Sequence, residues 1–168
     1  SYHIAIKEDP QLDKVWAKAA ALYDKLGNFE EAEYYINRAI ELDNKNVEYY
    51  SSATYYYLKQ LKFEEAIRNL AIIVEMKPLV FNSWYAYAET LIAIGEYEQA
   101  IPIIIAALRH FNRAEFFYQL SNVYYLTDQN KLGDEALTNA LLLNKSLKES
   151  MLDNYPILQE KIAQLNLK

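Results

Sequence analysis

Five columns of residues recur along this chain at one fixed spacing. Ala32, Ala66 and Ala100 stand 34 residues apart, as do Phe29, Phe63 and Tyr97, and Ile36, Leu70 and Ile104. Upstream, Trp16, Tyr50 and Trp84 keep the same period, and so do Tyr23, Tyr57 and Leu91. A period of this length means that one supersecondary unit is built repeatedly, each copy too small to bury its own apolar face and therefore stacked on the next. Within a unit the apolar spacing is helical. Trp16, Ala19, Ala20 and Tyr23 share one face, as residues three and four apart do. Gly27 ends that helix, as expected of a left-handed C-terminal residue. A second helix carries Phe29, Ala32, Ile36, Ala39 and Ile40 on one face; it stops at Leu42-Asp43-Asn44, at Met76-Lys77-Pro78 in the next unit and near Phe111-Asn112 in the third. Each unit is expected to be a two-helix hairpin. The alanine column lets the two helices approach closely, and the aromatic columns fill the space between neighbouring hairpins.

The composition agrees with this reading. The 168 residues include only 3 Gly and 4 Pro, too few for a chain of many strands and tight turns. With abundant Ala, Leu, Glu and Lys, this scarcity predicts an all-α protein. A hydrophobic content of 52% excludes a disordered tail. Because the chain has no Cys, it has no disulfide framework, thiol nucleophile or cysteine metal site. No run of about 18 apolar residues occurs, so no membrane span is expected. The net charge of −6, with Lys and Arg scattered rather than striped, argues against a nucleic-acid partner. The opening Ser1-Tyr2-His3-Ile4-Ala5 is no signal peptide, which leaves the cytoplasm as the default compartment.

With these columns the chain resembles the tetratricopeptide repeat (TPR) family. The matching elements are Trp16, Tyr23, Gly27, Phe29, Ala32 and Ala39 in one unit, Tyr57, Phe63, Ala66 and Pro78 in the next, and Trp84, Gly95, Tyr97, Ala100 and Ala107 in the third. The resemblance covers about residues 1–144 and implies a right-handed α-solenoid of antiparallel helix pairs. Three positions depart from the pattern. Leu61 replaces the turn glycine, Ile73 fills a column that is Ala in the units on either side, and Pro102 falls inside a second helix, where it must lie in or near the first turn or bend the axis. The expected division is repeats at 13–46, 47–80 and 81–113, and a degenerate repeat at 114–145. In that fourth unit Tyr124 to Ala136 is three residues longer than its equivalents, which reads as an insertion in Thr127-Asp128-Gln129-Asn130-Lys131 and a second helix at about 133–143. Residues 1–12 read as the second-helix remnant of a truncated repeat, and 146–168 as the C-terminal cap. Asp153-Asn154-Tyr155-Pro156 would start a closing helix over about 156–166, with Ile157, Leu158, Ile162 and Leu165 on its apolar side.

No catalytic constellation emerges. His3 and His110 lie far apart near helix ends, where a histidine suits the negative end of the dipole, and two ligands without a third make no zinc site. The pairs Glu30-Glu31 and Glu64-Glu65 open second helices, where the helix dipole favours acidic residues. Neither an enzyme activity nor a cofactor is expected. What remains is surface, because stacked hairpins leave a hollow face. The family resemblance implies that first-helix residues line that face and bind a peptide or a partner's helix. Carried onto this chain, the groove positions are Lys14, Lys18, Glu48, Ser51, Tyr55, Asn82, Tyr85, Glu89, Tyr118, Asn122 and Tyr125. Tyr55, Tyr85, Tyr118 and Tyr125 would form an aromatic ladder, and Glu89 and Asn122 would hydrogen-bond a peptide backbone. Tyr49, Tyr56, Tyr57, Trp16 and Trp84 are read as packing residues.

Only Lys14 and Lys18 approach the cationic clamp of the chaperone-binding members of the family, so a mixed apolar and polar segment is expected instead, with a cation facing Glu48, Glu89 and Glu115. The function read from the sequence is a non-catalytic scaffold for a protein or peptide partner, part of a longer TPR protein. Two alternatives stand beside it. One is an accessory or regulatory domain of a larger enzyme or sensor; the other is self-assembly, as a homodimer through the truncated N-terminal repeat.

Overall fold

The computed structural model describes residues 13–144, 146 and 148–166. The readings placed on residues 1–12, including the remnant helix, His3 and the homodimer contact, lie outside them. The described residues form helices and no strand. They fall into two units, divided at Val80 and Phe81.

The first unit holds two hairpins, α1 (Asp13–Lys25) with α2 (Phe29–Leu42), and α3 (Val47–Lys59) with α4 (Phe63–Met76). The second holds α5 (Phe81–Ala93) with α6 (Tyr97–His110), α7 (Ala114–Leu126) with α8 (Asn130–Leu143), and the short pair α9 (Lys148–Asn154) and α10 (Pro156–Asn166). The starts follow from local chemistry. Asn28 accepts the Glu31 N–H at 3.3 Å, and Asn46 accepts the Glu48 N–H at 3.1 Å. Each satisfies an amide that has no partner within its helix. Glu30 with Glu31, and Glu64 with Glu65, sit in the first turns of α2 and α4.

The hairpin turns share one geometry although their residues differ. Gly27, Leu61, Gly95 and Asp128 have φ of 71°, 57°, 82° and 58°. In each case the next residue's N–H reaches back five residues: Asn28 to Tyr23, Lys62 to Tyr57, Glu96 to Leu91 and Gln129 to Tyr124, at 2.8–3.0 Å. This is the Schellman closure of a helix end. Glycine enters it without strain, whereas Leu61 does not.

The closure also corrects the reading of the fourth unit. The α7–α8 loop contains no insertion. It spans 127–129, the same length as 94–96 between α5 and α6, and α8 begins at Asn130 rather than near 133. The small-residue column continues through Gly133, not Ala136. Ala32, Ala66 and Ala100 are fully buried, and Gly133 takes their place because the Tyr125 ring crowds it. A Cβ built on Gly133 would lie 2.7 Å from that ring. A register keyed on Ala therefore overshoots by three residues.

Pro102 is exposed in the second turn of α6, beyond the first turn where its missing N–H would leave the helix ladder intact, and the helix continues to His110. Ile73 is buried among the alanines of its column. In the first unit, Trp16, Ala20, Ala32, Tyr35, Ile36, Tyr49 and Tyr56 belong to one core. In the second, α9 and α10 lie over α7 and α8. Met151, Tyr155, Leu158 and Ile162 join Ala114, Tyr118, Tyr125, Leu137 and Ala140 in a single core. Closing helix α10 starts at Pro156, where the sequence places it; the Leu165 side chain lies outside the described set.

Candidate functional site

The first-helix residues fall differently in the two units. In the first unit they are open to solvent. Lys14 and Lys18 are exposed on α1, and Glu48, Ser51 and Tyr55 are exposed on α3. The Ser51 hydroxyl donates to Val47 O of its own helix at 3.0 Å, so it is already occupied. Tyr55 is 44% exposed. Its ring meets Phe29 edge-on at 6.1 Å and carries the Lys59 ammonium 5.3 Å above it. Glu48 sits 3.9 Å from Lys77. These are ordinary solvated contacts, of small energetic weight.

In the second unit Asn82 is exposed and Tyr85 half-buried, but Tyr118, Asn122 and Tyr125 are buried. The aromatic ladder is therefore corrected at two of its rungs. Tyr118 is 0% exposed, covered by the α9–α10 segment with which it shares a core. Its hydroxyl has no hydrogen-bond partner. Tyr125 turns toward α8, where its ring lies on Gly133 and its hydroxyl donates to Asp134 at 2.6 Å. Burial and that carboxylate push the hydroxyl well above the usual phenol range. Asn122 is also buried, yet lines a cleft.

What the second unit brings together is a carboxylate and its donors. Glu89, on α5, accepts from Gln119 Nε2 of α7 at 2.7 Å and from the Tyr155 hydroxyl, which arrives from the junction of α9 and α10. Gln119 Nε2 also lies 3.4 Å from the Tyr85 carbonyl. Burial, then the neighbouring Glu89 charge, raise the Tyr155 hydroxyl far above the phenol range, and the same two causes raise Tyr85. Both phenols remain protonated, so Tyr155 is a donor to the carboxylate rather than a competing charge. Beside the cluster opens a cleft of about 460 Å³, lined by Glu89, Asn122 and Asn154 among Ile92, Leu126 and Ile157. Among the described residues no Lys or Arg is ion-paired to Glu89, whereas Glu115 is paired with Arg113 at 2.5 Å.

Gln119 and Tyr155 are the residues that sequence reasoning missed at this site. Gln119 carries a weak signal, being one of three polar residues, with Ser121 and Asn122, in the middle of α7. Tyr155 carries none, because a tyrosine before a helix-starting proline shows nothing of what it touches. The His110 ring lies against Trp84, tilted by 32° with ring centroids 5.7 Å apart. Among the described residues no three His, Asp or Glu side chains are grouped to hold a metal ion.

A tetratricopeptide repeat profile matches residues 13–46, and a second matches residues 55–115. The chain belongs to the tetratricopeptide repeat family. No curated protein matches this TPR chain in sequence. Solved structures do match in fold. One is a crystal structure of MamA, at 15% identity and TM-score 0.72, covering 88% of this chain and 87% of that one. Another is MamA 41-end from Desulfovibrio magneticus RS-1, at 17% identity and TM-score 0.67, covering 92% and 94%. The fold class is that of the TPR α-solenoid, an all-helical protein-interaction scaffold. No described helix is long and apolar enough to cross a membrane.

Proposed function

We propose that this chain is a non-catalytic docking module, and that its principal contact with a partner is the α5–α7 face of the second unit, centred on Glu89. The observation that supports the reading is the Glu89 carboxylate, set beside an apolar cleft and given two neutral donors but, among the described residues, no cation. A buried or half-buried carboxylate attracts a cationic donor more strongly than a neutral one. The partner is accordingly a segment with apolar residues for the α5 and α7 wall of the cleft, Ile92 and Leu126, and a lysine or arginine for Glu89. Asn122 supplies a further amide to its backbone. Lys14, Lys18, Glu48, Ser51 and Tyr55 form a separate, solvated contact region on the first unit, and Asn82 and Tyr85 add to the face of the second.

The test is quantitative capture from cell extract with immobilised wild-type and Glu89→Gln proteins. The proposal expects proteins retained by the wild type to be depleted at least tenfold on Glu89→Gln, with the variant still helical and cooperatively folded. Identical retained sets would remove Glu89 from the docking face.

A further inference from the structure

The α5–α7 face is already partly covered, by the chain itself. Residues Met151, Tyr155, Leu158 and Ile162 enter the core built on α7 and α8. Their spacing of four, three and four is that of an amphipathic helix laid in a groove, although the helix is broken at Tyr155. Beyond these apolar anchors the polar ties are few. Tyr155 donates to Glu89 and shares a hydrogen bond with Tyr85, and the half-buried Lys161 reaches Asn130 at 3.1 Å and stands 4.9 Å over the Tyr125 ring. Tyr155 is therefore a neutral group standing where the proposed cation would stand, delivered by a segment shaped like the proposed partner. We propose that the α9–α10 segment is a built-in ligand of the second unit's face, clasped by the Tyr155–Glu89 hydrogen bond, and that a basic amphipathic helix docks by displacing it.

This rests on the docking face described above and adds its regulation. A site occupied in this way binds outside ligands with an affinity reduced by the fraction of time it stands open. Loosening the clasp must then tighten binding, the reverse of what removing a partner contact does. The exchange also has a direction. A carboxylate gains more from a charged donor than from a phenol, so a lysine or arginine outcompetes Tyr155 where a second tyrosine would only match it.

The test uses two synthetic peptides covering residues 148–166 of this chain, one native and one carrying Tyr155→Arg. Both are titrated against the full chain as wild type, as Tyr155→Phe and as Glu89→Gln. Tyr155→Phe keeps the buried ring and removes only the hydroxyl, with its bonds to Glu89 and Tyr85, and Glu89→Gln is close to isosteric. The arginine peptide should bind the wild type more tightly than the native peptide does. It should bind Tyr155→Phe about tenfold or more tighter still, the size of a lost hydrogen bond to a charged group. Its advantage over the native peptide should vanish on Glu89→Gln. Equal binding to wild type and Tyr155→Phe would overturn the clasp and leave the docking face standing. Failure of both peptides to bind any of the three proteins would overturn both. Deuterium exchange on the unliganded chain gives a check that needs no variant. Amides of α9 and α10 should exchange well before those of α7 and α8, and equal protection would make the segment a fixed lid and end the proposal.

Discussion

Leu61 shows how a residue can be wrong for its place and still hold it. It occupies the left-handed corner that glycine fills in the hairpins at Gly27 and Gly95, with φ of 57°, and it is 71% exposed, so its side chain gains little from packing. Left-handed backbone costs a non-glycine residue about 1–2 kcal/mol, and glycine's extra freedom when unfolded returns about half of that. Leu61→Gly is therefore expected to stabilise the protein by about 0.5–1 kcal/mol, read from the urea midpoint at constant slope. Tyr118 poses the opposite case. Its hydroxyl is buried without a partner, so Tyr118→Phe should be neutral or slightly stabilising. Tyr118→Ala should cost about 3–5 kcal/mol, as large core truncations do. A ring lining an open groove would tolerate both changes, and thermal melts of the two variants separate the readings. The sequence could not place Tyr118. One first-helix position is solvated in one unit and sealed in another, and the difference lies in a segment more than 30 residues downstream.

At the level of the element, periodicity carried most of the information. The hairpins, the buried alanine column and the turns at Gly27 and Gly95 were legible because each rests on spacing and on local backbone preference. The α7–α8 hairpin was not fully legible, because two linked substitutions disguised it. A large aromatic at Tyr125 demanded a residue without a side chain opposite, so the marker alanine became Gly133. Gly133→Ala should destabilise this hairpin by about 1–3 kcal/mol through overpacking. Tyr125→Leu loses the hydrogen bond to Asp134 but clears the space. Combining the two changes should cost clearly less than the sum of the separate effects, a non-additivity that a double-mutant cycle measures directly. Strict additivity would mean that the two residues do not constrain each other. The site was legible only in outline. Glu89 was found by its position in the repeat, whereas its donors Gln119 and Tyr155 come from tertiary packing that no spacing encodes.

Across the whole molecule, the unusual content of 16 Tyr sets how it responds to base. Burial, with smaller contributions from neighbouring charges and hydrogen bonds, pushes Tyr35, Tyr49 and Tyr56 in the first unit up to about 12. An unfolded tyrosine titrates near pH 10. Below that pH the phenols are protonated in both states and the folded protein keeps its full stability. As pH rises from about 10 to about 12, the unfolded chain loses protons that the folded one retains, and stability falls. Denaturation midpoints should therefore be flat between neutrality and pH about 10 and decline steadily above it; a decline that begins near neutrality would contradict this burial pattern. The two tryptophans offer a way to watch it happen. Trp16 is seated in the core of the first unit and Trp84 is buried in the second, so replacing either with phenylalanine leaves one fluorescent reporter in the opposite half of an intact chain. Emission from the two single-tryptophan proteins resolves the melting of each half by itself, and coincident curves would identify a chain that unfolds as one cooperative block.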